Sequence, residues 1–474
     1  MAQNSRCQAG GLPDKGAFNR IISRPQKGKD IDITAQEMEI CLDVLQRLVD
    51  SHGNLERSQR LNSLIYKLYR EGRRRERQRS DRELQKSQDR ELLAATTMVQ
   101  TQQDQSLSVA LPAPSGRRLH EPITCYICKE LFHEVHSFYH LLCPGCAAFN
   151  YEMRSLSADL RGRTALVTGG RVKIGFQTVL RLLRDGARVI VTTRFPQAAA
   201  RRFQAEDDLG QWQHRLHLYG LDLRNLPAVE RFAEHLLEHE SALDIVIHNA
   251  AQTIRRPEGF YRELLEQERH PLGALAGMVV QAGPSELALA QAVGDVLPLD
   301  RLHDREELAD SRHVNSWLLR LNEVSAGEML EVQLVNSVAP FLLNSRLKPL
   351  LMRSPRARRF IVNVSAVEGQ FARNKTVFHP HTNMAKAALN MMTRTSGADY
   401  ANDNIFMTSV DTGWVTDENP TPKRRRNQEE LGFYAPLDIV DGMARIYHPV
   451  AFGILKEEQP YFGVFLKDYA PCPW

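Results

Sequence analysis

No apolar run in this sequence approaches the roughly 20 residues that a membrane-spanning helix needs, so no span and no membrane partner is expected. Bulk charge is also missing. Against 61 Lys and Arg stand 57 Asp and Glu, and the formal net charge of +4 over 474 residues is too small to drive nucleic-acid binding by its field alone. A local basic patch stays open. The opening Met1-Ala-Gln-Asn-Ser-Arg6 has no apolar leader core. Cysteine is scarce, seven in all, and four of the seven form two tight pairs. That argues against a disulfide scaffold and fits a reducing compartment with a metal site. The expected localisation is cytoplasmic, and the length suffices for two or three domains.

What is present is organised around Thr164-Ala-Leu-Val-Thr-Gly-Gly-Arg-Val-Lys-Ile-Gly175. Ala165 to Val167 reads as a buried strand, Thr168-Gly169-Gly170 as a turn, and Phe176 to Leu183 as a helix starting after Gly175. Small residues let the backbone approach a pyrophosphate, and the N–H groups of the first helical turn face it.

Residues 1–33 are rich in Gly, Pro, Lys and polar residues and are expected to be disordered. Residues 34–95 read as a helical hairpin or arm. Thr34-Ala-Gln-Glu37 has the form of a capping box, followed by a stripe from Met38 to Val49 and, after Gly53, a second stripe from Leu61 to Leu68. Arg73-Arg74-Arg75 lies among Glu71, Glu76, Asp81 and Glu83, the pattern of a solvated, salt-bridged helix rather than a nucleic-acid surface. Residues 96–118 read as a linker.

Residues 119–155 hold Cys125-Tyr-Ile-Cys128 and Cys143-Pro-Gly-Cys146. Each pair offers two sulfurs from one tight turn, and together Cys125, Cys128, Cys143 and Cys146 can close a tetrahedral site for a structural Zn. Four thiolates saturate the metal, so His133, His136 and His140 between the pairs read as surface or core residues. A closed site leaves no position for substrate, which assigns it to folding or docking. The segment looks like a zinc-ribbon or treble-clef module, a resemblance that implies a protein or nucleic-acid partner.

From residue 156 strands alternate with helices. Strands are predicted at Ala165–Thr168, Arg188–Thr193, Leu216–Leu221, Asp244–His248, Phe360–Val364, Ile405–Val410 and Gly463–Leu466. Their apolar content predicts an α/β fold, a Rossmann-type doubly wound parallel sheet, and a helical insertion is read near 257–325. The insertion carries apolar stretches at Leu272–Val280, Leu287–Leu297 and Trp317–Leu321, read as helical because the segment is too long for a bare loop.

At this point the residues resemble the short-chain dehydrogenase/reductase family over about 160–474, interrupted by the insertion. Thr168, Gly169, Gly170, Lys173, Ile174 and Gly175 match the cofactor turn. Asp222 matches the acid that contacts adenine. Asn249 and Ala250, in His248-Asn-Ala-Ala251, match the element after the fourth strand. Asn336 matches the helical Asn of a proton relay, and Ser365 lies on the strand that carries the catalytic Ser. Lys386 matches the Lys that grips the nicotinamide ribose, and Gly413 and Val415 match the turn beside the nicotinamide. Members preferring NAD place an acid at the end of the second strand. Here Arg194 ends that strand and Lys173 replaces a usual glycine, which together imply NADP(H) rather than NAD(H).

Two positions depart from the family. Thr382 stands where the catalytic Tyr belongs, and Ala366 aligns with the catalytic Ser, although Ser365 could substitute through a backbone shift. A tyrosine hydroxyl, with pKa near ~10, can be drawn toward neutrality, whereas threonine is far less acidic. His379-Pro-His381 precedes Thr382, and His379 stands seven residues before Lys386, the spacing at which enoyl-reductase relatives carry their Tyr. His379 is either a general acid or part of a loop around Pro380. The resemblance implies a substrate lid near 412–435, and its basic run ending at Arg426 either attracts an acidic substrate or the cofactor phosphates or is a solvated lid face. Three readings follow: an NADP(H)-dependent oxidoreductase with altered proton chemistry acting on a small molecule; an inactive NADP(H)-binding sensor or scaffold docking protein partners through the zinc module or arm; and a nucleic-acid-binding protein, the least expected. A homo-oligomer is open in all three.

Overall fold

Val, Ile and Leu runs that bury both faces of a strand assemble one sheet in this computed structural model, which describes residues 34–50, 59–103, 117–269, 279–280, 310 and 312–474. In chain order the N-terminal elements are α1 (Ala35–Asp50), α2 (Gln59–Ala94), α3 (Thr97–Gln103), β1 (Arg117–Thr124), β2 (Leu131–Val135) and α4 (Pro144–Met153). There follow β3 (Thr164–Thr168), α5 (Lys173–Arg184), β4 (Arg188–Thr193), α6 (Pro196–Gln204), β5 (Leu216–Gly220), α7 (Leu226–His239), β6 (Ile245–His248), α8 (Arg262–Arg269) and β7 (Val279–Val280). The last part runs through α9 (Ala326–Gln333), α10 (Ala339–Met352), β8 (Arg359–Ser365), α11 (Pro380–Asn402), β9 (Ile405–Asp411), α12 (Thr421–Leu431), α13 (Ile439–Leu455), β10 (Phe465–Lys467) and β11 (Ala470–Cys472).

The sheet order is β11-β10-β9-β8-β6-β3-β4-β5-β7, and every pair is parallel except β10 with β11. The predicted doubly wound α/β sheet is therefore present, with all seven expected strands. The chain steps outward from β3 through β4 and β5, then returns to place β6 on the other side of β3. That reversal is the topological switch point of the sheet, and in open α/β sheets the ligand crevice lies at such a point, here the carboxyl ends of β3 and β6. Two apolar cores cover the sheet. One joins Val179, Leu183 and Phe203 to Ile446 and Val450. The other joins Phe232 and Leu236 to Leu343, Leu347 and Leu351.

The described residues divide into two units, one of Ala94–Arg118 with Pro122–Trp474, the other containing α1, the body of α2 and Leu119–Glu121. In the second, the capping box forms: Glu37 N donates to Thr34 Oγ1 (3.2 Å) and Thr34 N to Glu37 Oε2 (2.8 Å). The second apolar stripe and the charged stretch are one helix of 36 residues with no buried residue. Residues 1–33 and 51–58 lie outside the described residues, as do 104–116.

Local competition explains three differences from the sequence reading. The segment 96–118 begins with α3, whose Met98 and Val99 are buried. Within the insertion, Trp317–Leu321 is not a helix. The Asn315 side chain accepts from Trp317 N and Leu319 O accepts from His379 N, so the chain makes 3-10 turns at Ser316–Leu318 and Leu321–Glu323. Val279–Val280, read as helical, instead extends the sheet beside β5. The stretch Leu287–Leu297 lies outside the described residues.

Candidate active site and metal centre

The glycine turn is closed by its neighbours. Gly169 has φ +71, and a β-carbon there would strike Ala250, while one at Gly175 would run into the Gly169 carbonyl and Asn249. A β-carbon on Gly170 would meet Val191 and Val179. Asn249 Nδ2 donates to Thr168 O (3.3 Å) and Gly169 O (3.0 Å), and Ala250 N donates to Thr168 Oγ1 (3.1 Å). No side chain caps the amino end of α5 at Val172. These features fit a diphosphate: a turn that lacks β-carbons at Gly169, Gly170 and Gly175 leads into a helix end with first-turn N–H donors. Ile174 packs against Gly442 of α13.

The residues that follow the glycine turn and end β4 bring positive charge. Lys173, where the family uses glycine, takes φ 53, a left-handed conformation that costs a non-glycine residue roughly 1–2 kcal/mol. Arg194 lies 4.5 Å from the Tyr261 ring centre and 5.3 Å from that of Phe195, and Arg171 lies 5.6 Å from the Phe195 ring centre. Two carboxylates share the neighbourhood, both already engaged. Asp222 accepts from the Arg224 backbone and guanidinium. Glu268 accepts from Gln197 N (3.0 Å) and Ala198 N (2.8 Å) at the start of α6. Burial raises both carboxyls, yet for Asp222 the Arg224 bonds reverse the balance and hold it below its ordinary value.

At the other end, Lys386 on α11 donates to Val364 O (2.8 Å). Burial lowers its ammonium to about 8, opposed by Glu368. Asn336 sits in a π turn, Leu334–Val338, between α9 and α10. Its Oδ1 accepts from Gln252 N (2.6 Å) and its Nδ2 donates to Gln252 O (3.1 Å). Ser365 donates to Asn390 Oδ1 (2.6 Å) and is 2% exposed. Thr382 is buried, and its hydroxyl meets no hydrogen-bond partner among the described residues. His379 begins α11 with φ 44, stacks face to face on Trp317 (3.9 Å, 6°), and shares a 3.0 Å hydrogen bond between Nδ1 and Trp317 O. His381 is buried with Nε2 3.6 Å from Glu328 Oε1.

Sequence reasoning missed three groups. Arg171 sits inside the quoted turn and was legible there as a third cation. Glu268 and Tyr261 come from the insertion, and nothing in their spacing pointed to the adenosine end. Glu368 follows β8 on the turn Val367–Gly369, whose glycine abuts the Lys386 carbonyl. Burial and the charge of Asp411 push the Glu368 carboxyl up, against the pull of Lys375 and Lys386.

The four cysteine sulfurs lie within 4.8 Å of one another. Cys125 and Cys128 flank the hairpin turn between β1 and β2, while Cys143 caps α4 and Cys146 lies on its first turn. Cys128 and Cys143 sulfurs are 3.7 Å apart. A tetrahedral zinc with Zn–S of about 2.3 Å would set its sulfurs about 3.8 Å apart, so the donor set fits. Thiol donation from Cys146 holds the Cys125 sulfur well below the usual thiol range, and the same sharing pushes Cys146 up. Sulfurs sharing protons in this way suit a divalent cation that would displace them. Of the intervening histidines, His140 is buried and His136 Nδ1 accepts from Phe138 N (3.1 Å). No helix among the described residues is long and apolar enough to cross a membrane.

A family model described as short chain dehydrogenase matches residues 163–268. An uncharacterised protein of Acanthamoeba polyphaga mimivirus is 33% identical over 365 residues, covering 73% of this chain and 74% of its own length. Human dehydrogenase/reductase SDR family member 13 is 42% identical over 93 residues, 19% of this chain, and the chain spans 24% of that relative's length. Among solved structures, the NADPH-bound carbonyl reductase from chicken fatty liver is 18% identical, covers 66% of this chain and 100% of that one, and has a TM-score of 0.43.

Proposed function

Because the chain belongs to the short-chain dehydrogenase/reductase family, we propose that it is an NADP(H)-dependent oxidoreductase whose proton does not come from a tyrosine. The observation that carries the cofactor choice is the pair Arg171 and Arg194, which meet over the Phe195 ring where β4 ends, with Lys173 two residues after Arg171 in the glycine turn. Lys173 holds a strained backbone to stand there. A 2′-phosphate is the anion such a set suits. Thr168, Gly169, Gly170, Ile174 and Gly175 would cradle the diphosphate, braced by Asn249 and Ala250. Asp222 would border the adenine, and Gly413 and Val415 the nicotinamide. When bound, NADPH supplies a hydride.

This chain's own residues must supply orientation and a proton. Lys386 would hold the ribose, and Asn336 would fix the adjoining backbone through Gln252. Reduction of a carbonyl consumes one proton at oxygen. Glu368, whose carboxyl is pushed up by burial and by Asp411 and which sits on the turn that abuts Lys386, is our assignment for its donor. The carboxylate left behind faces the Lys386 charge and takes its next proton from solvent. The stacking of His379 on Trp317 supports a role for that ring in shaping the loop. We assign zinc to the four cysteines, as a structural ion.

The test is NADPH oxidation with a panel of aldehydes, ketones and enones. Turnover should appear, vanish in Lys386→Ala, and drop by about 10²-fold or more in Glu368→Gln. A second reading is favoured by Thr382 and Ala366 at the usual hydroxyl positions: a dinucleotide-binding sensor or scaffold. Tight NADPH binding with no turnover across the panel would select it.

A further inference from the structure

The metal module is wired into the cofactor site through a side chain that the cysteine pattern hides. Tyr126 lies between the two cysteines of the first pair, and its Oη accepts from Trp414 N (2.9 Å). Trp414 belongs to the turn after β9 that includes Gly413 and Val415, the residues assigned to the nicotinamide side. That turn is tight. Gly413 has φ +76, its N–H donates to Asp411 Oδ1 (3.3 Å), and a β-carbon there would strike Leu437 and approach Tyr126 Oη. Val415 packs on the core that Phe138, Tyr139 and Leu142 of the module share with Leu437. Lys467, 3.7 Å from Asp411, lies 5.6 Å from the centre of the Tyr126 ring.

The module is also tied to α13, which follows this turn in the chain. Tyr139 Oη donates to Asp441 Oδ1 (2.5 Å), and Arg154 bonds both Asp438 (2.8 Å) and Asp441 (3.0 Å) at the start of α13. Buried Arg445 donates to Asn150 of α4 (2.8 Å). Tyr126 itself is held from both sides, because its N–H donates to Leu141 O (2.8 Å), two residues before the second pair. Whatever closes the four sulfurs therefore fixes the Tyr126 hydroxyl against the Trp414 amide.

We propose that Tyr126 is a positioning residue for the nicotinamide-side turn, and that metal binding at the cysteines and dinucleotide binding are thereby coupled. The inference rests on the reading of the crevice as an NADP(H) site. It changes the role of the metal from folding or docking to holding one wall of that site. Coupling is reciprocal by thermodynamic necessity: if metal tightens the dinucleotide, the dinucleotide must tighten the metal.

Two measurements on the full chain test it. Tyr126→Phe keeps the ring and the cysteines but removes the acceptor. It should retain zinc and bind NADPH about three- to tenfold more weakly, the loss expected for one hydrogen bond. Trp414 emission, identified by its loss in Trp414→Phe, should respond less to NADPH in Tyr126→Phe than in the wild type. In the wild type, NADPH should also slow zinc loss to a chelator, and in Tyr126→Phe that protection should shrink. Unchanged NADPH affinity in a zinc-loaded Tyr126→Phe protein overturns the proposal. So does wild-type zinc loss that ignores bound NADPH, which decides the matter even if the variant fails to fold. A wild type that binds no NADPH sinks the cofactor reading itself, and this inference with it.

Discussion

Lys173 carries its charge at a structural cost. Its φ of 53 is a conformation that glycine adopts freely, so Lys173→Gly should relieve roughly 1 kcal/mol of strain and raise the melting temperature by about 1–2 °C. The same change should narrow the gap between NADPH and NADH affinity, measured by titration calorimetry. A variant that is less stable and keeps the full preference would remove the strain argument. At Lys386 the expected signature is in pH. Burial brings the ammonium to about 8, so NADPH affinity should fall as pH rises through that value, while Lys386→Ala should show no such step. The positions of Lys173 and Arg194 were readable from the sequence because one lies in the glycine turn and the other ends the second strand. Glu268 and Tyr261 were not, because an insertion folds back to deliver them and no local pattern records that.

Among the elements, the seven main strands were legible because burial on both faces leaves continuous apolar runs. The edge strands β7 and β11 were not, since two or three residues are too few to show a period. The π turn at Leu334–Val338 was also invisible, although the asparagine at its centre was not. Asn336 meets both backbone polar groups of the half-buried Gln252, so Asn336→Ala removes the partner of one N–H and one C=O at once. The expected loss is about 2–3 kcal/mol in denaturant unfolding. A loss within ~0.5 kcal/mol would mean that other groups satisfy Gln252. The cysteine pairs show the opposite balance. Their spacing announced the ligand set, yet gave no sign that the tyrosine between two of them reaches the turn after β9.

For the molecule as a whole, the sequence separated a cysteine module from a sheet domain, and the structure joins them through Arg154, Arg445 and Tyr126. Spacing reports what one segment can do alone, while these contacts span nearly 300 residues and leave only single polar side chains as their trace. The account stands on the crevice at the carboxyl ends of β3 and β6 and on the cations at its adenosine end. The most direct test is side-by-side calorimetric titration of the purified, zinc-loaded protein with NADPH and NADH. The account predicts saturable NADPH binding at least ~10-fold tighter than NADH, with most of that margin lost in Arg194→Ala. Equal affinities for the two coenzymes, or a margin indifferent to Arg194, would contradict it.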